Sequence, residues 1–274
     1  MGDCSVSEGD KAFTGSIPEI YDSHLVPLIF EQYAADLAVR TASLKPDAVL
    51  EIAAGSGVVA RAVAPELVAG TRHVVSDLNA PMLGRAASVQ PQPGPIEWLP
   101  ADALDLPLEN DTFDLVLCQF GCMFFPDRIA SYREARRVLK PGGSFVFNMW
   151  DRIEENDFAN AVTNALAEMY PSDPPQFLRR TPHGHYDTAV YREELEAAGF
   201  DEITIEPLDA ISSAENPAIP AVAYCQGTPL RNEIEALDPV GLVTATDVAA
   251  TAIASYFGAG PVEGRIRAFV ITAS

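Results

Sequence analysis

The chain has 274 residues, 48% hydrophobic and 21% charged, the balance of an ordinary soluble protein with room for one large domain or two small ones. Its 18 Lys+Arg stand against 39 Asp+Glu, a formal charge of −21. Such a surface repels polyanions, so neither nucleic acid nor an anionic membrane surface is an expected partner.

Residues 1–15 are rich in Gly, Ser and charge and read as a loose arm, with no basic start and apolar stretch of a secretory signal. Leu25, Leu28, Ile29, Tyr33 and Leu37 recur at helical spacing, and Pro27 predicts a short helix followed by a longer one. Short apolar runs then alternate with helical stretches. Strands are predicted at Ala48–Ala53, Arg72–Asp77, Pro95–Pro100, Thr112–Cys118 and Ser144–Trp150. Helices are predicted at Val58 to about Leu67, Asn79–Ser88 and Arg128–Leu139, the last stopped by Lys140-Pro-Gly-Gly. Farther on come a helix at Phe158–Tyr170, a Pro-rich loop with His183-Gly-His185, a helix at Tyr191–Ala198 and a strand at Asp201–Glu206. Helices near Leu230–Leu237 and Ala245–Phe257 and a last strand at Arg265–Thr272 close the chain. No run approaches the roughly 18 apolar residues that span a bilayer.

This alternation predicts an α/β fold: βαβ units, a mostly parallel sheet and helices on both faces. The ligand site of such a sheet lies beyond the carboxyl ends of its strands, which directs attention to the residues after each strand. No linker divides the chain, so one domain is expected over 1–274: an N-terminal arm with helices at 1–44, a cofactor-binding core at 45–150, a lid or acceptor insert at 151–188, and the rest of the sheet at 189–274. Cys4, Cys118, Cys122 and Cys225 form no CxxC pair and no His-x-His lies near them. No metal site is expected, and the thiols read as buried, reduced and cytoplasmic.

The first strand ends Glu51-Ile-Ala53-Ala-Gly55-Ser-Gly57, a glycine bend in front of a helix. Two cofactors compete for it. Gly55-x-Gly57-x-x-Ala60 fits the relaxed dinucleotide pattern, with Asp77 lying 20 residues past Gly57. Against that reading, Glu51 stands where the dinucleotide fingerprint keeps an apolar residue, helices precede the strand, and no hydride-transfer constellation follows. S-adenosylmethionine has a ribose and an amino-acid tail but no phosphate, and its ammonium favours an acid at the bend. Glu51 would supply that charge, Asp77 would take the ribose hydroxyls, and Asp102 with the Ala103 N–H would meet the adenine edge. Leu78 and Met82 would pack on the adenine faces. Three acids thus follow three successive strands, each matched to a donor on one molecule.

On these residues the chain resembles the class I S-adenosylmethionine-dependent methyltransferases, in particular their ubiquinone/menaquinone-biosynthesis-like small-molecule branch. Val49–Gly57 resembles the first family motif with Ala53 in place of its first Gly; Ser76–Met82, Ala101–Leu108, Phe113–Phe120 and Ala135–Gly143 resemble the later ones. The resemblance implies a Rossmann-like three-layer sandwich with a seven-stranded sheet whose last strand is antiparallel. It also suggests Gln119 at the methionine part of the cofactor and Tyr21 as an aromatic closing over it.

Methyl transfer from a sulfonium is an in-line displacement, so alignment and desolvation suffice, and a base helps only for a hydroxyl or thiol acceptor. The expected partner is a small molecule, methylated on oxygen, nitrogen or carbon. Phe120, Met123, Phe124 and Trp150 would wall its pocket; His183, His185 and Tyr186 are base candidates, and Tyr224, Gln226 and Arg231 are further candidates to face it. A metal of the catechol type would need carboxylates such as Asp127 and Asp151, but Asp127 after Pro126 reads as a helix cap. A nicotinamide oxidoreductase and a non-catalytic cofactor-binding regulator remain as alternatives; the oligomeric state is left open.

Overall fold

In a computed structural model, residues 16–91 and 95–274 are described, so the 1–15 arm and Cys4 lie outside the described residues. The elements run α1 (Ile17–Ile20), a π-helix (Tyr21–Phe30), α2 (Glu31–Leu44), β1 (Ala48–Glu51), α3 (Val58–Val63), β2 (Arg72–Asp77), α4 (Ala80–Val89) and β3 (Ile96–Pro100). Then follow β4 (Phe113–Gln119), α5 (Arg128–Val138), β5 (Leu139–Trp150), α6 (Asp157–Met169), α7 (Phe177–Arg180) and α8 (Thr188–Ala198). The chain ends with β6 (Ile203–Ala214), α9 (Ala218–Gln226), α10 (Leu230–Leu237), α11 (Leu242–Phe257) and β7 (Val262–Ala273).

The sheet is seven-stranded, in the order β3-β2-β1-β4-β5-β7-β6. Strands β1 to β5 pair in parallel. β7 is antiparallel: Glu202 and Ser274, at the facing ends of β6 and β7, exchange backbone N–H···O bonds of 3.2 and 3.0 Å. This is the mixed, mostly parallel Rossmann-like architecture expected. β1 has β2 on one side and β4 on the other, so the chain reverses its direction of travel across the sheet at β1, the position where open α/β sheets bind ligands.

The departures have local causes. Pro27 does not split the helix. It sits inside a π-helix that continues into α2, whose wider turn absorbs the missing N–H and the ring. β5 begins at Leu139, with Lys140-Pro-Gly-Gly looped out between the pairs Phe113↔Leu139 and Leu115↔Ser144. β6 extends eight residues past the expected Glu206, from Pro207 to Ala214. It is an edge strand, where a proline costs no ladder bond. α9 escaped notice because its apolar sequence lacks a polar face.

The described residues group into two compact units. One holds those up to Phe30, Trp150–Tyr186 and Leu208–Ala268; the other holds Glu31–Met149, Asp187–Pro207 and Phe269–Ser274. In the first, α11 packs on α6 and α9, with Phe158 edge-on to Phe257 at 5.2 Å. In the second, the pleat sorts the sheet into two faces. Val75 faces Ala60 of α3 and Leu83 of α4. On the opposite face Phe145 and Phe147 stack at 4.6 Å, with Tyr132 of α5 5.4 Å from Phe147.

Candidate active site

The bend after β1 is pinned from both sides. Ile52 N–H donates to the Leu117 carbonyl at 2.9 Å and Ala54 N–H to that of Ser76 at 3.0 Å. Reversing the chain within that span takes left-handed backbone at Ala53 (φ 52°), Gly55 (φ 56°) and Gly57 (φ 79°). At Ala53 this conformation costs on the order of 1 kcal/mol. Its methyl is accommodated because position 121 is glycine: a Cβ there would lie 2.5 Å from the Ala53 Cβ and 2.8 Å from Cys118 Sγ. A Cβ on Gly57 would lie 2.8 Å from the Ala86 Cβ, so this glycine also lets the start of α3 approach α4.

Asp77 ends β2 and reaches back to the bend. Its Oδ2 accepts from Gly55 N–H and its Oδ1 from Asn79 N–H, both at 2.7 Å. Burial raises its pKa, and these two bonds oppose the rise. Each oxygen keeps a lone pair for a further donor. Glu51, the last residue of β1, is 1% exposed. Burial first, then Cys118 and Asp77, push its pKa well above the usual carboxylate range; Arg61 and the Ala60 N–H act the other way. Its Oε2 is buried with no hydrogen-bond partner, as is the Ser56 hydroxyl on the same bend. A buried carboxyl oxygen without a partner is costly, and a cation seated against it would reduce the cost.

Apart from Tyr21, the remaining expected cofactor contacts sit in the same unit. Leu78 is 68% exposed at the end of β2, Met82 is buried on α4, and Asp102 is an exposed turn residue whose Oδ1 accepts from Leu104 N–H at 2.9 Å, with Ala103 buried beside it. Gln119 is half-buried at the end of β4. Phe120 follows with φ 54° and packs edge-on to Tyr33 at 5.2 Å; Met123 is buried and Phe124 half-buried. Sequence reasoning missed Asn148. It is fully buried on β5, in register with Gln119, and neither amide atom has a hydrogen-bond partner. Its signal was a lone amide in the apolar run Ser144–Trp150.

In the other unit, Tyr21, Phe30, Trp150 and His183 form an aromatic row, with successive ring centroids 5.3, 6.1 and 5.8 Å apart. His183 Nδ1 lies 2.8 Å from the Asp151 carbonyl, which can only accept, so Nδ1 carries the proton and Nε2 is the basic atom. Burial lowers its pKa to about 4, keeping the ring neutral. His185 is half-buried and Tyr186 exposed. Tyr224 is buried, Gln226 donates to Thr246 Oγ1 at 3.0 Å, and Arg231 pairs with Glu235 at 2.8 Å. In the unit of the bend, Asp127 caps α5, accepting from Ala130 N–H at 2.9 Å. No cluster of three potential metal ligands occurs among the described residues.

The sequence profile of the family described as methyltransferase domain matches residues 50–147, from the glycine bend through β5. Curated relatives carry the same assignment. A ubiquinone/menaquinone biosynthesis C-methyltransferase of Idiomarina loihiensis is 27% identical, over 64% of this chain and 73% of that protein. Residues 50–147 are a methyltransferase domain, and the relatives support a class I S-adenosylmethionine-dependent methyltransferase. The human mitochondrial 2-methoxy-6-polyprenyl-1,4-benzoquinol methylase is 28% identical to this methyltransferase over 51% of the chain and 46% of its own length. In fold it matches a candidate methyltransferase of Bacillus halodurans C-125 with TM-score 0.56 and 21% identity, covering 87% of this chain and 97% of that one. The [4+2]-cyclase SpnF matches with TM-score 0.51 and 16% identity over 89% and 80%. The methyl donor is S-adenosylmethionine, and the residues at the bend fit it. A buried carboxyl with one unpartnered oxygen stands ready for a cation, a glycine cradle brings the backbone close, and Asp77 has lone pairs to spare for a diol.

Proposed function

We propose that this methyltransferase acts on a small aromatic acceptor of the phenol or quinol class, on oxygen or carbon. The names of the relatives above, which include a benzoquinol methylase, support that acceptor class. The observation that carries the reading is Glu51: a fully buried carboxyl with an unpaired oxygen, set at the glycine bend where a cationic ligand would complete it. When bound, the cofactor supplies an activated methyl group. Glu51 and Gln119 would hold its amino-acid part, Asp77 its sugar, and Asp102, Ala103, Leu78 and Met82 its adenine. The chain's own work is alignment and exclusion of water, which can lower the barrier by on the order of 7–11 kcal/mol.

Phe120, Met123 and Phe124 supply apolar contact for the acceptor. His183, neutral with Nε2 basic, is the first candidate for the base of an acceptor hydroxyl; His185 and Tyr186 are the second choices. The three described cysteines are free and buried, which fits a reducing cytoplasm. The strongly acidic charge speaks against nucleic acid or an anionic membrane as partner.

The test is transfer of labelled methyl from S-adenosylmethionine to panels of phenols, quinols, amines and thiols. Transfer to amines or thiols alone would overturn the acceptor class. With a phenol, His183→Ala should cut turnover about 100-fold or more while calorimetry shows S-adenosylhomocysteine affinity unchanged; equal turnover would remove His183 as the base.

A further inference from the structure

Asn148 is the fully buried residue two places before the end of β5, and both ends of its amide lack a hydrogen-bond partner. Its backbone is engaged, the carbonyl accepting from Phe120 N–H at 3.3 Å, so the strand itself is in place. Register fixes where the side chain belongs. Asn148 pairs with Gln119, and Cα partners in adjacent strands carry their side chains on one face of the sheet. Two residues back from Gln119, Leu117 pairs with Glu51, and Glu51 pairs with Val75, two residues before Asp77. Asp77, Glu51, Gln119 and Asn148 therefore stand on the same face, at the carboxyl ends of β2, β1, β4 and β5.

Lower on that face the corresponding positions are Val49, Leu115 and Val146, all buried and apolar. A valine or leucine at position 148 would fill such a place without leaving polar atoms unpaired. Strands lie about 4.8 Å apart, so Asn148 stands roughly 14 Å across the sheet from Asp77 and one strand beyond Gln119. With the sugar at Asp77 and the amino-acid part at Glu51 and Gln119, the next group along the row faces the acceptor.

We propose that Asn148 is an acceptor-binding residue: its amide hydrogen-bonds the hydroxyl of a phenol or quinol and so selects acceptors with a free O–H. An amide suits this group because it both donates and accepts, as a hydroxyl does. The inference rests on the phenol/quinol reading above.

The experiment uses the full chain saturated with S-adenosylhomocysteine and two probes, hydroquinone and its dimethyl ether, which lacks the O–H. Equilibrium binding is measured for the unaltered protein, Asn148→Leu and Asn148→Val, with ligand-free thermal midpoints to verify folding. The unaltered protein should prefer hydroquinone by about tenfold, the worth of one good hydrogen bond. Both variants should lose that preference, keep S-adenosylhomocysteine affinity, and melt no lower than the unaltered chain. A preference that survives in a folded variant overturns the proposal, as does absence of any preference in the unaltered chain. A parallel fall in S-adenosylhomocysteine affinity would move Asn148 to the cofactor and also overturn it. Methyl transfer by the unaltered chain to amines or thiols alone strikes the acceptor reading itself, a different failure from a lost role for Asn148.

Discussion

Replacing Glu51 by Gln should strengthen the ligand-free protein and weaken its hold on the cofactor. The carboxyl is 1% exposed and one oxygen has no partner, so ionising it in the ligand-free fold is unfavourable. Its folded pKa lies well above the ordinary carboxylate value, burial being the main cause. An acid with a raised folded pKa stabilises most below its unfolded pKa, and that contribution is lost as pH rises through the folded value. At pH 7 to 8 the native protein therefore carries a penalty that the neutral amide avoids. An unsatisfied buried group costs roughly 1–3 kcal/mol, and each kcal/mol moves the midpoint of a chain this size by about 2–4 °C. Glu51→Gln should raise the ligand-free midpoint by a few degrees at pH 8 and by little at pH 4.5. Cofactor binding should move the opposite way. A cation pairs with the carboxylate, so binding at mildly acid pH expels a proton and tightens with rising pH. The variant loses a charge-assisted bond worth about 1.5–3 kcal/mol, roughly 10- to 150-fold in affinity, together with the proton release. Scanning calorimetry and titration calorimetry in two buffers of different ionisation enthalpy read both quantities. A variant that melts lower and binds S-adenosylmethionine equally well would refute the reasoning.

Asp77→Ala removes the acceptors of Gly55 N–H in the bend and of Asn79 N–H, both at 2.7 Å, so it should lower stability by roughly 1–3 kcal/mol, speed hydrogen exchange at Gly55 and abolish measurable S-adenosylhomocysteine binding. Gly121→Ala should lower the thermal midpoint because its Cβ would sit 2.5 Å from that of Ala53; adding Ala53→Gly should recover part of the loss, the remainder reflecting Cys118 Sγ at 2.8 Å. His73 is buried with both ring nitrogens unpaired and its pKa held down to about 4 from 6.5, so its contribution to stability is present above pH 6.5 and lost as pH falls toward 4. His73→Leu should flatten the acid limb of the stability curve by about 3 kcal/mol, read from denaturation midpoints at pH 4.5 and 8.

The apolar runs of β1, β2 and β4 could be read from the sequence because each is short, buried and bounded by turn residues, and the acids that follow them stood out as charges after hydrophobic stretches. The helical spacing of Leu25 to Leu37 was equally plain, but whether Pro27 ends a helix or widens it depends on backbone packing that spacing does not encode. The alternation at Asp201–Glu206 reads as a strand but Pro207 argues against its continuation unless the strand lies at an edge, and edge position is a property of the assembled sheet. Asp77 reads as a ligand group, yet its bond from Gly55 N–H, which holds the bend, exists only once β1 and β2 lie side by side. Asn148 was passed over because a single amide in an apolar strand looks the same whether its partner is a neighbouring side chain or nothing.

Orphaned polar atoms do not mark a site by themselves. His73, the Tyr132 hydroxyl, Glu51, Ser56 and Asn148 are all buried with atoms that lack partners. Position separates them. His73 is the second residue of β2, four places before Asp77, and Tyr132 lies on α5 against Phe145 and Phe147, on the face opposite the bend. Glu51 ends β1, Ser56 lies in the bend it leads into, and Asn148 lies near the carboxyl end of β5, where a parallel α/β sheet binds its ligands. Substitution should therefore divide them. Removing the polar atoms of His73 or Tyr132 changes stability and its pH dependence and leaves ligand affinity alone. Removing those of Glu51 or Asn148 trades stability gained in the empty protein for affinity lost, as expected where unsatisfied groups are kept for a ligand.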